Sequence, residues 1–153
     1  MAVVNIAVGG TTGSAPGHTH TRYGELRIKV DMSVSNLAAG NVLRVINIPL
    51  GLLPLGIGVK VTTADSVAAA TADIGLYKVA DDTAVDEDGL INELAIGVLN
   101  TASYAAPAAA NQITEAMYVG IAQGAGGEGA LNDDAVIEIV IPVIDLTFPT
   151  EVE

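Results

Sequence analysis

The feature that most restricts the fold is the stretch from Asn41 to Tyr77, NVLRVINIPLGLLPLGIGVKVTTADSVAAATADIGLY. It holds three apolar segments, Val42 to Ile48, Leu52 to Val61 and Ala72 to Val79, separated by proline, glycine and Thr/Ala/Asp punctuation. Proline removes a backbone donor and clashes with the preceding helical turn, so no long helix fits this pattern and short strands do. No reactive side chain stands in its middle. The stretch therefore predicts architecture and names no chemistry.

The strongest local signal lies upstream. From Glu25 to Val34 the residues Leu26, Ile28, Val30, Met32 and Val34 alternate with Glu25, Arg27, Lys29, Asp31 and Ser33. Successive strand side chains point to opposite faces, so this pattern predicts one buried and one solvated face. Val42–Ile48 interleaves polar residues less cleanly and predicts burial on more than one side. The segment Pro49–Pro54 (PLGLLP) reads as an apolar turn or crossing, either covered by the domain or serving as a contact. Ile57, Val59 and Val61 resume alternation. Residues 63–72 read as a short helix capped by Thr63 or Asp65, or equally as a wide loop.

Ala72–Val79 predicts another strand. The run DDTAVDEDG, 81–89, predicts an acidic loop ending in an Asp88-Gly89 turn. Residues 90–99 leave open a helical start with an extended end. Residues 101–111, TASYAAPAAAN, read as a long loop or a short helix that Pro107 interrupts or begins. Residues 113–123 alternate around Met117, Val119 and Ile121, and GAGGEG reads as a turn. In 135–144, Ile137, Ile139 and Ile141 face one way and Val136, Glu138 and Val140 the other, while Pro142 predicts an edge or a bulge. About seven strands without a βαβ rhythm predict an all-β fold, a single β-sandwich or jelly-roll-like domain over 23–153.

Residues 1–22 precede it as an N-terminal arm. Their glycine density is too costly in backbone entropy for the interior of an element. Val3, Val4, Ile6 and Val8 are the residues that would anchor the arm, as an added strand on a neighbouring subunit. Together with Leu50, Leu52, Leu53 and Leu55 of the PLGLLP region, they form the candidate interface.

Composition narrows the function. The chain of 153 residues has no cysteine, which removes disulfides, thiol catalysis and Cys-based metal sites. Half its residues are apolar but only 3% aromatic, so the core is aliphatic and no stacking platform for a sugar is evident. A net charge of −12 with six cations argues against nucleic-acid binding, which needs clustered Lys and Arg. No apolar run reaches the roughly 18 residues of a membrane span. The start MAVVNIAVGG lacks the basic region of a signal peptide, and the expectation is a soluble protein made in the cytoplasm.

Candidate sites are sparse. The acidic run 81–89 offers oxygens for calcium but departs from an EF-hand loop, with Ala84 at the third position from Asp82. In 124–133, GAGGEGALND, Leu131 stands where a calcium nonapeptide needs Asp. His18 and His20 would share a face of an extended arm as a metal pair, but zinc requires further ligands. No Gly-x-Ser-x-Gly elbow surrounds a serine, and Gly9-Gly10-Thr11-Thr12-Gly13 lacks the lysine of a phosphate loop. The expectation is a protein without enzymatic activity, cofactor or metal.

A glycine/threonine-rich arm, then RYGELRIKVDMSVSNLAAGNVLRVINIPLGLLPLGIGVKVTT, then a small-residue loop leading into ADIGLYKVADD, resembles the capsid decoration or cement proteins of tailed bacteriophages. The likeness covers about residues 23–145 and is one of layout. It implies a non-enzymatic, trimeric β-sandwich protein of the virion, bound to the major capsid protein on the outside of the head and reinforcing it. A competing class is a fibre-tip or receptor- and glycan-binding β-domain.

Overall fold

The computed structural model describes residues 3–5, 23–34, 40–105, 113, 115–124 and 134–145. Among the described residues ten strands follow one another: β1 (Val3–Asn5), β2 (Tyr23–Asp31), β3 (Val42–Ile48), β4 (Leu52–Pro54), β5 (Ile57–Thr63), β6 (Thr71–Lys78), β7 (Ala84–Ala95), β8 (Ala102–Ala105), β9 (Met117–Gln123) and β10 (Val136–Asp145). They form two five-stranded sheets, one in the order β1-β3-β9-β6-β7, the other β2-β10-β5-β8 with β4 also paired to β10.

Without the short β1 and β4, the remaining strands pair first with last and inward from there: β2 with β10, β3 with β9, β5 with β8, β6 with β7. Each of these pairs is antiparallel. The chain is a long hairpin rolled over so that successive pairs fall in alternate sheets, the jelly-roll arrangement. The all-β sandwich read from the sequence is the fold observed.

Between the sheets lies a core that, among the described residues, is aliphatic. Ile28 and Val30 of β2, Leu43 and Ile48 of β3, Val59 and Val61 of β5, Ile74 and Leu76 of β6, Val119 and Ile121 of β9 and Ile137 and Ile139 of β10 are all buried there. The alternation in β2 places Glu25, Arg27, Lys29 and Asp31 in solvent. The strand stops at Asp31, three residues earlier than its pattern suggests. The Asp31 carboxylate accepts from the Ser33 amide at 3.0 Å and its hydroxyl at 2.6 Å, turning the chain into a short 3-10 helix, Met32–Val34.

Several expectations are corrected. The acidic run is a loop only over 81–83: residues 84–95 are one strand, β7, and Asp88-Gly89 lies within it. Its pairing with β6 shifts register three times, so extra residues bulge rather than turn. At one bulge β7 crosses directly over Gly75, where a Cβ would stand 2.2 Å from the Asp86 carbonyl oxygen. At another, Glu93 has a φ of 51° and its amide donates to the buried Asp73 carboxylate at 2.7 Å. The helical start considered for 90–99 is likewise strand up to Ala95.

Residues 64–70 form turns, not a helix, braced by the Asp65 carboxylate accepting from the Val67 amide at 2.8 Å. Ala102–Ala105 is strand β8, where a loop or helix was expected. Pro142 sits in an interior strand, not at an edge. It falls where the neighbour of β10 changes from β5, last paired at Val140, to β4, first paired at Val143. Its carbonyl accepts from the Leu55 amide at 2.8 Å. A strand residue's N–H and C=O point to the same side, so the missing donor faces this junction and costs no ladder bond to β2.

Candidate contact surfaces

The expected interface residues divide. Val3 and Val4 lie in β1, which pairs in parallel with Val42 and Leu43 of the same chain. Ile6 and Val8 lie outside the described residues, as do His18, His20 and residues 125–133. Leu52 and Leu53 are half-buried in β4, where they oppose Asp145 and Ile144 of β10. The PLGLLP segment is therefore partly strand, and β10 accounts for its middle. Leu50, at the tip of the Pro49–Gly51 turn, keeps 63% of its surface in solvent, and Leu55 is also exposed. Gly51 carries the φ of 99° that this turn needs.

Three exposed apolar side chains were not singled out in the sequence. Val98 and Leu99 project from the turn between β7 and β8, and Tyr104 in β8 is 67% exposed. The signal for them was available: no charged residue occurs between Glu93 and Glu115.

A second cluster occupies the outer face of the sheet containing β3, β9 and β6. Tyr77 and Tyr118, in register on β6 and β9, stack with ring centroids 5.4 Å apart and planes 14° from parallel. The Arg44 guanidinium lies 4.5 Å from the Tyr118 ring centroid. It is held there by Asn47, whose Oδ1 accepts from Arg44 Nε and Nη2 at 3.0 and 2.9 Å. Asp82, with a φ of 58°, brings a carboxylate to 4.0 Å from Arg44. Gly120 makes the stack possible, because a Cβ there would meet the Tyr77 ring.

Both tyrosine hydroxyls are buried, and among the described residues the Tyr77 hydroxyl has no hydrogen-bond partner. Burial is the main cause that pushes both phenols up, with Glu87 adding to it at Tyr77 and Asp82 at Tyr118, which reaches about 12. Their ordinary value is 10.0, so the folded chain resists ionising them. The stability this confers is full below about pH 10 and is lost as pH rises through the folded values. Melting temperature should thus fall steeply above pH 10 in the wild type and less steeply in a Tyr77→Phe/Tyr118→Phe variant, read by circular dichroism. Near pH 7 the Tyr77→Phe variant should be neutral or slightly stabilised, since an unpartnered buried hydroxyl contributes only its desolvation cost. A loss of more than about 1.5 kcal/mol at pH 7, the upper range of a typical hydrogen bond, would reveal a partner for that hydroxyl.

Burial, then the neighbouring Asp88 carboxyl, raises the Asp86 pKa, and Gly89 packs beneath the Asp86 side chain. Among the described residues no group of three or more His, Cys, Asp or Glu is arranged to hold a metal ion. None of the described helices is long and apolar enough to cross a membrane. A cavity of about 10 Å³ between the sheets is lined by Ile48, Pro54, Leu76 and Ile141 among others, too small and apolar for a polar ligand. The described surface carries five large exposed apolar side chains, Leu50, Leu55, Val98, Leu99 and Tyr104.

No protein-family model and no curated protein sequence matches this chain. Solved structures do. A chain from the capsid of Ralstonia phage GP4 superposes with a TM-score of 0.67 at 18% identity, covering 96% of this chain and 100% of that one. The fold is shared with phage capsid chains. A chain of the acidic stable capsid structure of Helicobacter pylori bacteriophage KHP30 follows with a TM-score of 0.55 and 12% identity, covering 84% of this chain and 92% of that one. One from the cyanophage Pam1 capsid asymmetric unit gives 0.53 and 12%, covering 88% and 93%. At these identities the likeness is one of fold.

Proposed function

We propose that this chain is a non-enzymatic structural protein of a phage virion, a decoration or cement protein. It binds the major capsid protein on the outer surface of the head as an oligomer of three copies and stabilises the shell. The observation that carries this reading is the near-complete overlap, 96% of this chain with 100% of the other, between its jelly roll and a chain of the Ralstonia phage GP4 capsid. The aliphatic core and the exposed apolar groups on turns and edges support it, because a protein present in many copies multiplies weak contacts by symmetry.

In this reading residues 1–22 and the exposed leucines Leu50 and Leu55 contribute shell or subunit contacts. Glu87, Asp88 and Glu93 of β7 stay in solvent and keep the assembled particle soluble through their negative charge. Deleting residues 1–22 should lower retention on head particles at least tenfold in a sedimentation assay, while the truncated chain keeps its β-sheet circular dichroism. Undiminished retention of the truncated chain would remove the arm from the account.

A further inference from the structure

The turn between β5 and β6 holds a carboxylate without a countercharge. Asp65 is only 3% exposed. Its amide donates to the Ile96 carbonyl at 2.9 Å, which pins the backbone beneath it, and its Oδ1 accepts from the Val67 amide at 2.8 Å. The other oxygen, Oδ2, is shut off from solvent and has no hydrogen-bond partner among the described residues.

A second carboxylate stands beside it. Asp134, just ahead of β10, accepts from the Ser66 amide at 2.8 Å. Ser66 and Val67 are consecutive, so two acids far apart in the sequence are anchored on neighbouring amides of one turn. The Ser66 amide, then its hydroxyl, hold the Asp134 carboxyl below the usual carboxylate range, and the Asp65 carboxyl is a further hydrogen-bonding neighbour. Asp134 is therefore an anion at neutral pH. Among the described residues neither acid has an ion-pair partner: the pairs present are Arg27 with Glu25, Arg44 with Asp82 and Lys78 with Glu115.

A carboxylate oxygen taken out of water without a partner is costly, and a second carboxylate against it adds repulsion. Such a group in a folded chain calls for an ion, a water or a proton to satisfy it. A hard divalent cation satisfies both acids at once. Calcium takes backbone carbonyls and water as readily as carboxylates and tolerates irregular ligand sets, so it does not require three acids in one place, whereas magnesium demands near-ideal octahedral geometry. Asp134 is exposed and gives an ion its way in from solvent, with Asp65 behind it. We propose that Asp65 and Asp134 form a calcium site that ties the β5–β6 turn to the start of β10. The ion would brace a junction, because the next residue, Ala135, accepts from the Met32 amide at 2.9 Å and Val136 stands opposite both Asp31 of β2 and Thr63 of β5. The site does not depend on the shell-binding reading.

Thermal unfolding of the full chain, stripped with a chelator and then melted in calcium chloride or magnesium chloride of equal ionic strength, tests it by circular dichroism. Calcium at about 5 mM, above the range of weak extracellular sites, should raise the melting temperature by at least about 3 °C, since it binds the folded chain alone. Magnesium should give less than half that shift. Asp65→Asn and Asp134→Asn should each lose the calcium-specific part, and because Asp134 is exposed the second variant keeps the test valid if the first does not fold. An Asp88→Asn variant on β7 should retain it, as a control for simple screening of the negative charge. A wild type that melts alike with and without calcium would overturn the proposal and leave the pair to a water or a proton. So would an equal shift with both metals that survives in the Asp134→Asn variant. Either failure leaves the shell-binding reading intact.

Discussion

Replacing Ile139 by alanine is expected to destabilise the chain by about 3 kcal/mol, within the range for large-to-small core changes. Ile139 is completely buried in β10, flanked in register by Ile28 of β2 and Val59 of β5. The loss combines the transfer free energy of the missing methyl and methylene groups with the cavity they leave. Strands hydrogen-bonded on both sides cannot shift to fill it. Against a typical total of roughly 5–15 kcal/mol, such a loss is a large fraction of stability. The urea midpoint should fall with little change in slope. An unaltered midpoint would mean that β10 is not the interior strand of its sheet.

Gly75→Val is expected to be at least as damaging, by about 3 kcal/mol or more, the upper end for overpacking. The added Cβ would lie 2.2 Å from the Asp86 carbonyl oxygen and 2.3 Å from that of Glu87, both backbone atoms that no rotamer change can move. β7 would have to lift from the sheet, which would also loosen Leu90 and Ile91, both buried in the core. Gly58→Ala is the control. There the nearest atom to an added Cβ is the Val140 carbonyl oxygen at 3.9 Å, and the variant should stay within about 0.5 kcal/mol of wild type, as surface changes do. Equal stability of the Gly75→Val variant and wild type would place β7 elsewhere.

Where the fold was legible in the sequence, period two was unbroken. β2 shows it in Ile28 and Val30 against Arg27 and Lys29, and β10 in Ile137, Ile139 and Ile141 against Glu138. β7 was misread because its bulges destroy that period. Leu90, Ile91 and Leu94 are all buried, a one-and-four spacing that imitates a helix, although each belongs to a strand. The Asp88-Gly89 pair imitates a turn in the same way. β8 was hidden by its composition, since alanine and serine have little intrinsic preference for strand and the element exists through its ladder with β5.

Exposed apolar side chains were legible where one stood in an obvious turn, as Leu50 does. Val98 and Leu99 were absorbed into an ambiguous segment. The pairing of Tyr77 with Tyr118 is tertiary, set by the β6–β9 register, and no local pattern announces it.

Mixing the purified chain with heads of the phage that carries its gene, grown without that gene, and pelleting them through a sucrose cushion tests the central claim most directly. The account predicts saturable co-sedimentation at a fixed number of copies per head, with bound heads withstanding heat or chelator better than bare ones. A chain that stays in the supernatant at every concentration, while bare heads are as stable as complete ones, would contradict it.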